Sequence, residues 1–199
     1  MKGNASFVRN MDAYNYAEVF LVCAVSAVLT IRLFLHLTGY PQIGNSTLHI
    51  AHMLWGGLLM PVSIITLVAF IGKHMMLWAA VLGGACFGTF IDEVGKFVTR
   101  DNDYFFEPSV AIMYMVFILI VLAVHMIRTG WSFTKREYLI NALRGLEEAA
   151  LRDLEEDEKR KVLMYLARSD SEDTLKAHVR DLIVTRPPFQ RRLRVFTSG

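Results

Sequence analysis

Cysteine is almost missing from this chain. Cys23 and Cys86 are the only two among 199 residues, and both lie inside apolar stretches, where they read as small buried hydrophobes. A fold built on disulfides is thereby excluded. No internal repeat, low-complexity tract or His-Glu-x-x-His run of a hydrolytic zinc helix is present either. A dominant charge is lacking too: 21 Lys and Arg against 19 Asp and Glu leave a formal +2, which by itself says nothing about nucleic acid; no nucleic-acid partner is expected of this apolar chain. The apolar run that begins near Ala17 has no small-residue cleavage pattern followed by a polar mature chain. It reads as a retained span, not a signal peptide.

Apolar residues make up 54% of the chain and come in blocks close to the length of a membrane crossing. Four such segments run from about Ala17 to Leu37, His49 to Ile71, Met75 to Val98 and Ser109 to Ile127. The expected fold is all-α: a four-helix transmembrane bundle over residues 1–129, followed by a small cytoplasmic helical region, 130–199. Lys2 and Arg9 precede the first segment, Lys73 lies between the second and third, and Arg128, Lys135 and Arg136 follow the fourth. Between Thr38 and Leu48 there is no Lys or Arg at all. The positive-inside rule then puts both termini in the cytoplasm. The localisation this implies is a multi-pass protein of a bacterial or archaeal plasma membrane.

That topology gathers polar residues far apart in sequence into one layer near the extracytoplasmic face. His36 closes the first segment, His49 and His52 open the second, and Asp92, Glu93 and Lys96 lie near the end of the third. On a helix, His49 and His52 would share a face with Gly56, which lets another helix approach closely. Ala80, Gly84, Gly88 and Asp92 form a small-residue ladder of the kind that joins membrane helices. Arg32, one turn before His36, needs an acid within the membrane, and Asp92 or Glu93 is the candidate. Pro61 is expected to kink the second segment.

Two readings of the histidines stand side by side. Imidazoles at an interface can simply bond water, headgroups or backbone. Alternatively, His36, His49, His52 and Glu93 or Asp92 would hold a divalent transition metal, Zn or Fe, with whichever of Asp92 and Glu93 is not a ligand as catalytic base. Arg32, Lys96 and Arg100 would then bind an anionic substrate group. His-x-x-His with Asp-Glu-x-Gly-Lys-Phe resembles, over these few residues, multispan membrane hydrolases that gather His and Asp ligands from several helices. It implies a hydrolase acting on a lipid or amphiphile. Rival expectations are an oligomeric channel or small transporter, and a sensor or scaffold signalling to a cytoplasmic protein partner.

After Thr129 the character changes. Thr134 to Glu137 has capping-box spacing, and Leu139, Leu143, Leu146, Ala150 and Leu154 follow at helical period. Further helices are expected around Val162 to Leu166 and from Ser169 to Ile183, ended by Pro187-Pro188. The core is expected to be thin, leaving this part to pack on itself, on the membrane or on other copies of a homo-oligomer. The last stretch, Phe189 to Phe196, alternates arginines with apolar residues and suits an anionic leaflet, so membrane lipids are expected partners.

Overall fold

The computed structural model describes residues 8–38, 44–45, 48–49, 52–94, 107–129, 132–151, 154–169 and 174–185. Among these the chain forms seven helices: α1 (Ala13–Thr38), α2 (His52–Ala69), α3 (Lys73–Asp92), α4 (Glu107–Thr129), α5 (Lys135–Ala150), α6 (Glu156–Arg168) and α7 (Thr174–Thr185). Two short antiparallel strands, β1 (Gly44–Asn45) and β2 (Leu48–His49), lie between α1 and α2. Three helices, α1, α3 and α4, are long and apolar enough to cross a membrane, and α2 carries a shorter apolar stretch, Leu54–Ala69.

One expectation fails at the start of α2. His49 pairs with Gly44 in β2, and the helix begins only at His52. Gly44-Asn45 is turn-forming sequence, and it holds Leu48-His49 extended against it. The two histidines therefore do not share a helical face.

Residues 12–130 form one compact unit. Its organising element is α3, whose small residues let two neighbours approach backbone to backbone. A Cβ added at Gly84 would stand 2.2 Å from the Phe20 carbonyl oxygen, and one at Gly88 the same distance from that of Ala24. The pairs 20 with 84 and 24 with 88 advance together, so α1 runs parallel to α3. On the other side the Ser63 hydroxyl donates to the Ala79 carbonyl at 2.7 Å, and a Cβ at Gly56 would lie 2.8 Å from the Cys86 carbonyl oxygen. Here the numbers run in opposite senses, and α2 is antiparallel to α3. Gly72, at φ 109, supplies the left-handed residue that the tight α2–α3 connection requires.

Phe117 of α4 meets Phe87 edge-on at 6.2 Å, and Ser109, Met113 and Val124 are buried along the same stripe of α4. The outer surfaces carry large apolar side chains such as Val22, Leu29, Leu33, Ile64, Leu119 and Leu122. Small residues inside and large ones outside invert the order of a water-soluble core, as lipid-facing helices require. Pro61 sits within α2, which continues through it.

The second unit groups 1–11 with 131–199, and among its described residues 8–11 lie with the C-terminal helices. Its core is Ala142, Ala149, Leu154, Val162, Leu166, Val179 and Ile183, drawn from all three helices and the α5–α6 link. Helix α5 starts as expected: the Thr134 hydroxyl accepts from the Glu137 N–H, and Glu137 returns to the Thr134 N–H, completing a capping box. The charged run after Leu154 is a helix start as well, with Glu155 and Glu158 capping α6 in the same way. Gly145 lies against Val162, whose Cγ2 would be 2.3 Å from an added Cβ.

The N-terminal segment is held on α5 by a clamp. The Arg9 guanidinium donates through Nε to Glu137 Oε1 at 2.8 Å and through Nη2 to Oε2 at 3.0 Å, and it lies 4.6 Å from the Phe133 ring centre. Asn141, one turn on, accepts from the Met11 N–H at 3.0 Å and donates to the Arg9 carbonyl at 2.8 Å. The Arg9 guanidinium and the Thr134 N–H hold the Glu137 carboxyl well below the usual carboxylate range. Only two residues after Met11, α1 begins.

Candidate functional site

At the end of α3 the chain buries two consecutive acids. Asp92 is the last residue of α3 and Glu93 its C-cap, with backbone angles φ −95 and ψ 8; their exposures are 1% and 0%. A carboxylate at a helix C-terminus opposes the helix dipole, so it needs a cation. Arg32 supplies one. Six residues before the end of α1, its Nε donates to Asp92 Oδ1 at 2.7 Å, and Nη2 reaches the Met113 sulfur of α4 at 3.8 Å. Three helices thus meet around one guanidinium.

The local sequence explains the meeting. Asp92 continues the line of Gly84 and Gly88, and that line is the one pressed against α1. A side chain as long as arginine is required because α1 is four residues further along, beyond the close glycine contacts. Met113 closes the cluster from α4, and Ser109 is buried one turn before it on the same face. Their involvement was not anticipated. The stripe Ser109, Met113, Phe117 and Val124 is nonetheless legible as one helical face, and a small hydroxyl and a polarisable thioether on it are suited to lie beside charge.

The other expected site residues divide into three groups. His36 lies on α1 one turn beyond Arg32 and is exposed. His52 is the first residue of α2. Because Gly56 stands opposite Cys86 to Phe90 in an antiparallel pair, one turn back along α2 brings the backbone of His52 to the level of Asp92 to Val94. The side chains of His49 and His52, and all of Lys96 and Arg100, lie outside the described residues. Among the described residues no group of three or more His, Cys, Asp or Glu side chains is placed to hold one metal ion.

Chemically, the cluster offers two carboxylates, one guanidinium and a thioether at one end of the apolar helices. Successive helical residues diverge by about 100°, so Asp92 and Glu93 address different neighbours. Asp92 is committed to the bridge with α1. No family model matches the chain, and no curated protein or solved structure matches it.

Proposed function

We propose that the chain is a four-span membrane protein with both termini on the cytoplasmic side. The clamp supports this most directly. Residues 9–11 precede α1, Glu137 and Asn141 follow α4, and the two stretches bond directly, so the chain between them crosses a bilayer an even number of times. Three helices have the length and composition to cross, and parity asks for a fourth. Helix α2 fits: its 18 residues extend about 27 Å at 1.5 Å per residue and run antiparallel along α3. The Lys and Arg bias assigns the termini to the cytoplasm. Single cysteines placed at Ser132 and at Asn45, probed on intact cells with an impermeant thiol reagent, test it. Labelling at Asn45 alone is the expected result; labelling at Ser132 from outside overturns the orientation.

Within that frame the Asp92–Glu93 end becomes an inward-facing centre near the extracytoplasmic face, and we read it as a metal site on which a lipid or amphiphile is hydrolysed. The observation that carries this is the burial of two adjacent acids, Asp92 and Glu93, at the end of α3. Buried carboxylates are costly, and polar groups inside spans are retained chiefly for function. Glu93 would be the carboxylate ligand, with His52, at the same level, and His49 as imidazole donors. Asp92 stays with Arg32, which fixes α1 against α3 and keeps the negative charge of the centre tolerable. A bound divalent metal would bring the pKa of its water to about 7 and polarise a carbonyl or phosphoryl oxygen. Elemental analysis of detergent-purified protein tests the reading. One equivalent of Zn or Fe in the wild type, lost in Glu93→Gln and His52→Ala, is expected; a wild type free of bound transition metal after purification without chelators removes it.

A second reading has its own observation. The three-helix unit has a packed core and is bonded to the segment that leads into α1, an arrangement suited to relaying a state of the spans to a cytoplasmic partner.

A further inference from the structure

Helix α2 is held less firmly than the helix it lies on. Of residues 54–69, Gly56 and Ser63 are the two that are buried, whereas α3 buries Ala79, Gly83, Gly84, Cys86, Gly88, Ile91 and Asp92. Large side chains of α2 such as Leu54, Trp55, Leu58, Ile64 and Ile65 are 55% to 64% exposed. The two halves of α2 are attached in different ways. After Pro61, the Ser63 hydroxyl donates to the Ala79 carbonyl at 2.7 Å, and Gly83 leaves it room, since a Cβ there would lie 2.8 Å from the Ser63 oxygen. Before Pro61, the helix meets α3 at two glycines. Gly56 stands against Cys86, Thr89 and Phe90, and a Cβ at Gly57 would be 3.6 Å from the Phe90 ring. Pro61 has no N–H, so the Gly57 carbonyl lacks the helical donor that would tie one half to the other.

The face of α3 that the first half of α2 covers leads to Glu93. Position 93 lies two turns beyond Cys86 and three residues beyond Phe90, on their side of the helix. Asp92 belongs to the other side, in line with Gly84 and Gly88 against α1. We infer that residues 52–60 of α2 form a hinged gate, turning about Pro61, that opens the Glu93 face of α3 to the bilayer. The inference rests on the reading of that end as a site for a lipid or amphiphile, and it names the route by which such a substrate arrives. Swinging the first half outward parts glycine backbone from α3, whereas moving the second half breaks the buried Ser63 bond. The exposed apolar side chains of the gate are in lipid in both positions, so opening transfers none of them to water. Helix α1 is unsuited to the same movement, being locked to α3 by backbone contact at Gly84 and Gly88 and by the Arg32–Asp92 bridge.

Paired spin labels on the full-length protein in nanodiscs, in a Cys23→Ala, Cys86→Ala parent, test the gate. A label at Val22→Cys, exposed on α1, is combined with one at Leu54→Cys before Pro61 or at Ile65→Cys after it. Leu54 lies about 10 Å along the helix from Pro61, so a swing of about 20° moves it by about 4 Å. Two distances differing by about that amount are expected for the Leu54 pair and one distance for the Ile65 pair. Pro61→Ala, which restores the missing N–H, should leave the shorter distance of the Leu54 pair alone. A single distance for the Leu54 pair in the parent, two that persist in Pro61→Ala, or two for the Ile65 pair each overturn the gate. The measurement needs no bound metal, so failure of the gate and failure of the metal centre, read by elemental analysis, are separate results.

Discussion

The two units of this chain each join distant segments through an arginine and an acid, but they do so in different solvents. In the unit of spans Arg32 meets Asp92, whose side chain is fully buried; in the other, Arg9 meets Glu137, with the guanidinium 38% exposed. The packing around the pairs differs in the same sense. Gly84, Gly88 and Ala24 bring backbones into contact in the first, whereas Val162, Leu166, Val179 and Ile183 fill a conventional core in the second. Where the surroundings are apolar, large side chains gain nothing by turning inward, so close approach and buried polar bonds hold the helices. Where the surroundings are water, burial of large side chains does that work. An ion pair is obligatory in the first setting and adjustable in the second.

That contrast breaks first at Asp92. Asp92→Ala leaves Arg32 charged and without its carboxylate, a loss of about 3–5 kcal/mol for a buried pair, read as the midpoint of unfolding in mixed detergent. Arg32→Met together with Asp92→Leu should recover most of it. Recovery would identify the pair as a structural lock and assign any chemistry to Glu93. Next comes the glycine ladder. Gly88→Val puts atoms where the Ala24 carbonyl stands and should cost about 3 kcal/mol in the same assay, while leaving the exchange of α5 to α7 unaltered.

The smallest effect is set by pH. Because Glu137 has a lowered pKa in the folded unit, its contribution is complete above the ordinary glutamate value of about 4.3. It is lost as pH falls below that toward its own depressed value. Protection factors of the Arg9 and Met11 amides, corrected for intrinsic exchange, should therefore fall in acid, and Glu137→Gln should abolish that fall.

Much of this was legible. The ladder Ala80, Gly84, Gly88, Asp92 marked the face of α3 that meets α1, and a charged residue at Arg32 implied an acid at its depth. The capping box at Thr134 marked the start of α5, since its chemistry is local. The clamp was not legible, because Asn141 binds backbone atoms, and backbone leaves no trace in composition or period. The extended Leu48-His49 was hidden for another reason: apolar residues running straight into a helix match its period even when a turn-forming Gly44-Asn45 claims them. The place of Met113 beside Arg32 depends on which face of α4 turns inward.

The clamp has a consequence for how the protein is made. Arg9 and Glu137 are 128 residues apart, so on a ribosome the N-terminal segment emerges long before the helix that receives it. Insertion of every span must come between the two events, and the segment must wait on the side where it was born. Closing so long a loop in solution is slow, but spans already assembled would shorten the search. Helix α5, made after the apolar helices, thus completes a contact begun by residues made before them.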